Sequence, residues 1–340
     1  MFRPTGRPEA EIQRVNVSES TVTDVTAIAQ KIIENVEQVI VGKRQQLIYS
    51  LVAWFSEGHV LLEDVPGVAK TMLARALARS VGCSLKRVQC TPDLLPTDVT
   101  GASVFNQKTM EFEFRPGPVF SNLLLADEIN RATPRTQAAL LEAMAERRVT
   151  VDGKTHDLTP PFLVVATQNP VDHEGTFPLP EAQLDRFLMR FQLGYPSMDE
   201  ELKMLEMLQH KHPLDDLKPV VTAEELIACQ RAIRGIYVDR KVREYLTQIV
   251  HETRESEHLS LGGSPRASIA LFRTSQAMAA LRGRRFVQPD DVKRIVQPVL
   301  NHRLILKPES RLRKIATEDV VKEVMSEIAV PTLDEAQQSP

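Results

Sequence analysis

Lys70 and Thr71 are the first residues in this chain whose types and spacing suggest chemistry. They follow an apolar run that ends in a Pro-Gly turn, and helix-forming residues continue from Met72. Such a strand–turn–helix unit directs backbone N–H groups and the positive end of a helix at an anion. We therefore predict a polyphosphate site in which Lys70 reaches the β- and γ-phosphates and the Thr71 hydroxyl binds Mg²⁺. The loop residues expected around the nucleotide are Pro66, Gly67, Val68, Ala69, Lys70, Thr71 and Met72.

This loop departs from the simple phosphate-binding pattern at two positions. Asp64 and Ala69 stand where that pattern has glycine. Because Ala69 carries a Cβ, we expect its φ to be negative. Taken alone, the segment also fits an ordinary strand–turn–helix corner with an exposed lysine.

A second apolar run, Leu123-Leu124-Leu125-Ala126, ends in two acids, Asp127 and Glu128. Continuous apolar runs are typical of buried parallel strands, and α/β sheets bind ligands at the carboxyl ends of their strands. We predict that Asp127 holds the Mg²⁺ shell and that Glu128 polarises the attacking water. The alternative is a buried strand whose terminal acids are only solvated.

A third apolar run, Phe162-Leu163-Val164-Val165-Ala166, leads through Thr167 and Gln168 to Asn169. The Asn169 amide is a candidate to orient the water or to contact the γ-phosphate. An Asn-Pro turn that merely opens a loop is the alternative.

Taken in order, these and two further segments resemble the MoxR-type AAA+ ATPases of the helix-2-insert clade. The resemblance extends from about Val41 to about Val330, and its most specific part is Glu174-Gly175-Thr176-Phe177-Pro178-Leu179-Pro180-Glu181-Ala182-Gln183. The other matching segments are Val65 to Thr71, Leu125 to Ala132, Ala166 to Pro170, Leu184 to Phe187 and Ser264 to Ala267. Alanine before the lysine is common in this family, so Ala69 does not count against the match.

The resemblance implies roles for four further residues. Arg186 matches the arginine finger that enters a neighbouring subunit's site, where it would stabilise charge that develops on the γ-phosphate. Arg266 matches the second sensor, which would link the nucleotide to the lid angle. Val41 and Gly42 match the adenine-proximal turn. The alternatives are a surface ion pair for Arg186, a solvated helix-start arginine and a plain helix-ending glycine.

The resemblance also implies an α/β fold, with a P-loop AAA+ parallel-sheet domain followed by a small all-α lid. We expect a flexible N-terminus at 1–20, the ATPase core at 21–194, the lid at 195–330 and a flexible tail at 331–340. An amphipathic pattern predicts a helix from Thr21 to Val41. Hairpins are predicted at 101–114 and at 148–158, the second around the turn Asp152-Gly153. In the family, the first hairpin faces the central pore.

Composition excludes some functional classes. The chain has 340 residues and a formal net charge of −3, which does not suggest a general polyanion partner. Residues 231–330 nevertheless hold nineteen Lys and Arg against twelve Asp and Glu, which we interpret as solvated helix faces. Three cysteines show no metal or disulfide spacing. Neither a signal peptide nor a membrane-spanning run is expected, so the cytoplasm is the predicted location.

Three functions remain open at this point. The first is a Mg²⁺-dependent ATPase that forms a ring, expected to be hexameric, and remodels protein complexes or helps to insert metal cofactors. The resemblance implies a protein client or a partner with a von Willebrand factor A domain. The second is a nucleic-acid-linked motor, against which the acidic balance argues. The third is a nucleotide-gated scaffold without turnover, which would not need Glu128.

Overall fold

The computed structural model describes residues 19–170, 175–209 and 212–332. The strands in these residues are β1 (Val60–Glu63), β2 (Leu85–Gln89), β3 (Gly101–Asn106), β4 (Glu111–Pro116), β5 (Leu123–Asp127), β6 (Arg148–Val151), β7 (Lys154–Asp157), β8 (Leu163–Gln168), β9 (Met189–Phe191), β10 (Leu259–Leu261) and β11 (Ile305–Leu306). The helices are α1 (Glu19–Glu37), α2 (Arg44–Phe55), α3 (Lys70–Ser80), α4 (Pro96–Thr100), α5 (Pro134–Glu146), α6 (Glu181–Leu184), α7 (Met198–Leu208), α8 (Pro213–Asp216), α9 (Ala223–Ile233), α10 (Arg240–Glu255), α11 (Pro265–Leu281), α12 (Pro289–Leu300), α13 (Pro308–Leu312) and α14 (Thr317–Glu327). Most of the predicted N-terminal segment and tail, as well as Glu174, lies outside the described residues.

Five parallel strands form the central sheet in the order β2-β5-β8-β1-β9. The inner strands β5, β8 and β1 are apolar because both faces of the sheet are covered. Leu123 and Leu125 of β5 join the core that includes α1, α2 and α3, whereas Leu124 and Ala126 join the core that includes α5. This alternation follows from the two-residue period of a strand. The predicted parallel α/β sheet is confirmed.

The carboxyl ends of β1, β5 and β8 lie together at one edge of the sheet, since these strands are parallel and adjacent. The loop at 64–69 follows β1, Glu128 follows β5, and Asn169 follows β8. The fold therefore brings the three predicted polar segments to the edge where α/β sheets bind ligands.

Two antiparallel hairpins leave the core. The first pairs β3 with β4 and the second pairs β6 with β7, so both predicted hairpins are confirmed. Asp152 and Gly153 turn the second hairpin with φ values of 50° and 75°, as a two-residue primed turn requires. His156 of β7 stacks on Phe114 of β4 with ring centroids 4.0 Å apart, which joins the two hairpins.

Helices dominate the chain after Gly194, as predicted, with one addition. Strands β10 and β11 form a small antiparallel pair within this part of the chain, so the expectation that strands cease after the sheet domain is wrong in this detail. Thr222 and Glu225 cap α9 reciprocally in a capping box. Among the described residues, we find no helix both long and apolar enough to span a bilayer.

Candidate active site

Five of the predicted polar residues line one pocket of about 300 Å³ at the carboxyl edge of the sheet. They are Lys70, Thr71, Asp127, Glu128 and Asn169, and the wall is completed by Pro66, Gly67 and Ala69. The side chains of Val68 and Met72, which we also predicted around the nucleotide, pack against the hydrophobic core instead. Their part in the site is thus to anchor the loop on which the pocket residues stand.

The loop before α3 turns through two residues with positive φ. Gly67 has a φ of 89°, and a Cβ there would meet no neighbouring atom, so glycine serves the backbone conformation rather than a close approach. Ala69 has a φ of 65° and a ψ of 20°, so our expectation of a negative φ is wrong. A left-handed alanine costs about 1–2 kcal/mol. The loop accepts this strain because Ala69 is the cap from which α3 must start.

Lys70 is held by its own loop. Its Nζ donates a 2.7 Å hydrogen bond to the backbone carbonyl of Asp64. Burial lowers the pKa of Lys70, and the carboxylates of Asp64 and Asp127 oppose that effect. The ammonium group is thereby pre-positioned at the wall of the pocket, where a phosphate would replace lost hydration.

Asp64 connects this loop with the end of the sheet domain, just before the helical part of the chain. Its buried carboxylate accepts hydrogen bonds from the backbone N–H groups of Leu193 and Gly194, the second at 3.1 Å. An aspartate therefore replaces the glycine of the simple pattern because its side chain has a structural task. These two hydrogen bonds tie the phosphate loop to residues 193–194.

Asp127 makes contacts through both carboxylate oxygens. Its Oδ1 accepts a 2.6 Å hydrogen bond from the Thr167 hydroxyl. Its Oδ2 accepts bonds from Arg87 Nη2 at 2.7 Å and Nε at 3.2 Å. The Arg87 side chain is 48% exposed, so this ion pair is partly solvated.

Glu128 has an unusual backbone conformation, with a φ of 56° and a ψ of 51°. Its N–H donates to the Thr167 hydroxyl at 2.9 Å, which stabilises this turn. The carboxylate Oε2 accepts from Gln89 Nε2 at 3.0 Å and lies 3.1 Å from Arg131 Nε. Left-handed non-glycine residues cluster at functional sites, and Glu128 lines the pocket.

Asn169 is almost fully buried at the end of β8. Its backbone carbonyl accepts a 3.5 Å hydrogen bond from Asn130 Nδ2, which ties the segment after β8 to the segment after β5. The side chain belongs to the pocket wall beside Asp127 and Glu128. Its contact with the γ-phosphate or with a water remains a prediction.

Arg186 and Arg266 do not line this pocket. Arg186 is exposed between α6 and β9, and its Nη1 donates to the backbone carbonyl of Leu141 on α5 at 2.9 Å. Arg266 is exposed in the first turn of α11. The two arginines thus lie outside the pocket formed by Lys70 and the two acids.

Val41 and Gly42 also lie outside the phosphate pocket. Gly42 has a φ of 73°, and a Cβ there would fall 1.6 Å from Glu200 Oε1 in the first turn of α7. The neighbouring Lys43 donates to the carbonyl of Tyr195 at 2.9 Å. The turn is therefore packed against the chain that follows the sheet, and its adenine-proximal role remains a prediction.

Four residues around the two acids were not anticipated from the sequence: Arg87, Gln89, Arg131 and Thr167. Arg87 and Gln89 are alternate residues of β2, and β2 pairs in register with β5 so that Gln89 lies opposite Asp127. The strand order would have revealed them, because alternate residues near the end of a neighbouring strand share one face. Thr167 could have been found similarly as a polar residue in an otherwise apolar strand.

Two family models match this chain. Residues 59–189 match the ATPase family associated with various cellular activities (AAA), and residues 251–324 match the AAA lid domain. The first range contains the pocket and Arg186, while the second contains Arg266.

Whole-length relatives extend this likeness. The chain is 52% identical to YeaC of Bacillus subtilis over 91% of its own length and 96% of that protein. It is 40% identical to the chaperone MoxR1 of Mycobacterium tuberculosis over 93% of its length and 86% of the relative. A crystal structure described as a candidate ATPase from Cytophaga hutchinsonii has 36% identity and a TM-score of 0.87, covering 92% of this chain and 98% of the other. The chain therefore belongs to the MoxR-type AAA+ ATPases.

Proposed function

We propose that this protein is a Mg²⁺-dependent ATPase that works as a ring, with each site completed by a neighbouring subunit. The observation that carries the proposal is the division of polar groups in the structure. Lys70, Thr71, Asp127, Glu128 and Asn169 share one pocket, whereas Arg186 and Arg266 lie outside it. A second subunit would bring the missing positive charge, and we take the ring to be hexameric.

The chain's own groups divide the work of hydrolysis. Lys70 and the N–H groups at the start of α3 bind the phosphates and hold them in line with a water molecule. Glu128 orients that water and accepts its proton, and the Asn169 amide fixes its position. Thr71 and Asp127 offer the hard oxygen ligands that Mg²⁺ prefers, and both line the pocket. When bound with ATP, Mg²⁺ would neutralise charge on the β- and γ-phosphates.

The Glu128 carboxylate is already bonded to other side chains, which supports the proposal that ATP turnover is controlled through this residue. Its carboxylate is held by Gln89 and Arg131, so it must leave these groups before it can accept a proton from water. Nucleotide and neighbour binding are the events that would release it. Slow turnover by an isolated subunit follows from this arrangement.

The assignment of Glu128 is tested together with that of Lys70. Glu128→Gln should retain ATP affinity but lose turnover by about a hundredfold or more, because it removes the proton acceptor and leaves the phosphate cradle intact. Lys70→Ala should weaken ATP binding itself. Fluorescent-nucleotide titration and phosphate release measure the two properties separately. Parental turnover by Glu128→Gln would remove Glu128 from the mechanism, and unchanged affinity in Lys70→Ala would show that the loop does not bind phosphate.

The biological role we propose is chaperone-like remodelling of protein complexes in the cytoplasm. MoxR1, a relative over most of the chain, is named a chaperone. The client would be a protein complex under maturation or a metal-cofactor enzyme, reached directly or through a partner with a von Willebrand factor A domain. Capture of proteins on the ATP-bound Glu128→Gln form, compared with Lys70→Ala, would identify such a client.

The two alternatives make different demands. A nucleic-acid motor needs an accessible basic surface. Within the Lys- and Arg-rich residues 231–330, however, Arg284 pairs with the buried carboxylate of Asp291. Strong, salt-dependent polynucleotide binding would favour the motor. A scaffold needs nucleotide binding alone, so ATP binding without turnover in the assembled ring would favour the scaffold.

A further inference from the structure

One buried guanidinium holds the chain on both sides of Arg186. The Arg303 side chain is only 3% exposed. Its Nε donates to Asp185 Oδ1 at 2.7 Å, its Nη2 to the Phe187 carbonyl at 2.7 Å, and its Nη1 to the Leu188 carbonyl at 3.2 Å. Arg303 thus contacts the residue before Arg186 and the two residues after it.

His302 supports the same segment. Its Nε2 lies 2.9 Å from the Phe187 carbonyl, and burial holds the pKa of His302 well below its ordinary value. The ring is therefore neutral, with its proton on Nε2 as the donor to Phe187 and its buried Nδ1 without a partner in the described structure. Two consecutive residues of the 3₁₀ turn Asn301–Arg303 consequently bind the segment that carries Arg186.

Asp185 extends the connection to α11. Its Oδ2 accepts a 3.2 Å hydrogen bond from the hydroxyl of Ser264, the residue that precedes α11. Arg266 stands two residues further on and is close enough for its charge to act on Arg303. The Asp185 carboxylate therefore links the Arg186 segment with the start of the helix that bears Arg266.

The chemistry of this cluster requires arginine. A planar guanidinium can donate in several fixed directions at once, so one side chain can bind a carboxylate and separate carbonyls. A lysine ammonium has the charge but not the planar set of donors, so it cannot reproduce the three contacts around Arg186. Because a buried charge without its partners is costly, the native arrangement is strongly preferred over displaced ones.

We propose that Arg303, through Asp185 and the Phe187 carbonyl, is a positioning residue for Arg186. The inference rests on the proposed role of Arg186 in a neighbouring subunit's site. Arg303 belongs to the lid, between α12 and β11, whereas Arg186 belongs to the sheet domain. The position of the lid thereby sets the reach of Arg186, and the nucleotide state of one subunit can alter hydrolysis in the next.

The test uses Arg303→Lys in mixed assemblies. Alone, the variant should show a kcat reduced by about tenfold to a hundredfold, with KM for ATP within about twofold of the parent, because its own phosphate pocket is intact. Mixed with Glu128→Gln subunits, it should recover turnover, since those inactive subunits supply a correctly held Arg186 to its sites. A merely structural defect would stay in the variant subunit and would not be rescued.

A matched control is available in the same part of the chain. Arg284 also forms an ion pair with a fully buried carboxylate, that of Asp291, but within the described part of the chain it does not bond to the Arg186 segment. Arg284→Lys should lower the melting temperature while leaving kcat at the parental level. A loss of kcat in Arg284→Lys equal to that in Arg303→Lys would overturn the proposal, because any damaged lid ion pair would then suffice.

A parallel Arg186→Ala sample distinguishes the trans role of Arg186 from the positioning role of Arg303. With co-assembly verified by mass, recovery of Arg186→Ala but not of Arg303→Lys overturns the positioning role alone. Failure of Arg186→Ala to recover contradicts the trans role and overturns the inference that depends on it. Parental kcat in Arg303→Lys also overturns it.

Asp185→Asn provides a second variant if Arg303→Lys does not fold. It keeps the shape of the carboxylate and an oxygen for Arg303, but it removes the charge. The same fall in kcat, near-constant KM and rescue by Glu128→Gln are expected. Parental kcat, or a loss that is not rescued where Arg186→Ala is, overturns the proposal.

Discussion

Thr167 shows how one buried side chain organises the active site. It is completely buried, donates to the Asp127 carboxylate and accepts from the N–H of Glu128. The hydroxyl thereby fixes the carboxylate predicted to serve Mg²⁺ and the strained turn that directs the proposed water-activating acid. Among the described residues, the Glu128 N–H has no second hydrogen-bond acceptor.

Thr167→Val keeps the shape of this side chain and removes its hydrogen bonds. We expect a loss of stability of about 1–3 kcal/mol, because the partly buried N–H of Glu128 loses its acceptor. We also expect kcat to fall by about tenfold or more through misplacement of Glu128. Denaturant unfolding and ATP turnover measure the two effects, and Thr167→Ser, which retains a hydroxyl, serves as the control. Unchanged kcat in Thr167→Val would show that Glu128 is positioned without Thr167.

The polar residues of the pocket all follow apolar runs in the sequence: Lys70 and Thr71 after the turn behind one run, Asp127 and Glu128 directly behind another, and Asn169 behind a third. That local pattern indicated these five residues, and the family resemblance favoured the nucleotide site over the plainer alternatives. The local pattern was insufficient for Arg87 and Gln89, which lie on a weakly patterned strand and reach the acids only through the strand order. The predicted negative φ of Ala69 is wrong because the prediction used only the steric preference of alanine. The backbone must also turn at Ala69 so that α3 can start at Lys70.

At the scale of elements, His59 joins the start of the sheet to the helix that covers it. Its Nδ1 accepts from the Val164 N–H of β8 at 3.0 Å, and its Nε2 lies 3.1 Å from the Met144 carbonyl of α5. These two bonds require the neutral ring with its proton on Nε2. Burial accordingly lowers the pKa of His59 to about 4.

This arrangement predicts that the free energy of unfolding decreases as the pH falls into the acid range. Since the unfolded chain binds a proton near pH 6.5 and the folded chain only near pH 4, acidification across that window favours unfolding. The full effect of His59 is about 3 kcal/mol, lost as the pH falls. Urea unfolding at several pH values should show this decline, and His59→Gln should make it shallower although His302 still contributes. An equal decline in His59→Gln would contradict the assignment.

Element boundaries were predictable where the local pattern was decisive. Helix α5 spans Pro134–Glu146, and both limits have a local cause: Thr133 caps its start and Arg147 ends it in a left-handed conformation. Helix α1 was expected to reach Val41 but ends at Glu37, since the chain must turn before Gly42. The β10–β11 pair was missed because its strands are short and distant in sequence, so no local periodicity marks them.

At the scale of the molecule, the sheet domain and the helices after it share one hydrophobic core. Buried residues of α1, α2 and the sheet belong to the same cluster as those of α9 to α12 and α14. The Arg303–Asp185 ion pair crosses the same junction, and Asp64 binds residues 193–194 directly before the helical part begins. The domain limits at 194 and 195 remain a prediction, but the contacts provide physical routes from the phosphate loop to the lid.

The central claim is that a subunit's site is incomplete until a neighbour supplies Arg186. The most direct measurement is Mg²⁺-dependent ATP turnover per subunit across a wide range of protein concentrations, with Lys70→Ala as the blank and mass measured at each concentration. The account predicts that turnover per subunit rises with assembly and then levels off, while Arg186→Ala assembles but stays slow. Turnover per subunit that is constant from monomer to assembly, or that Arg186→Ala reproduces, would contradict it.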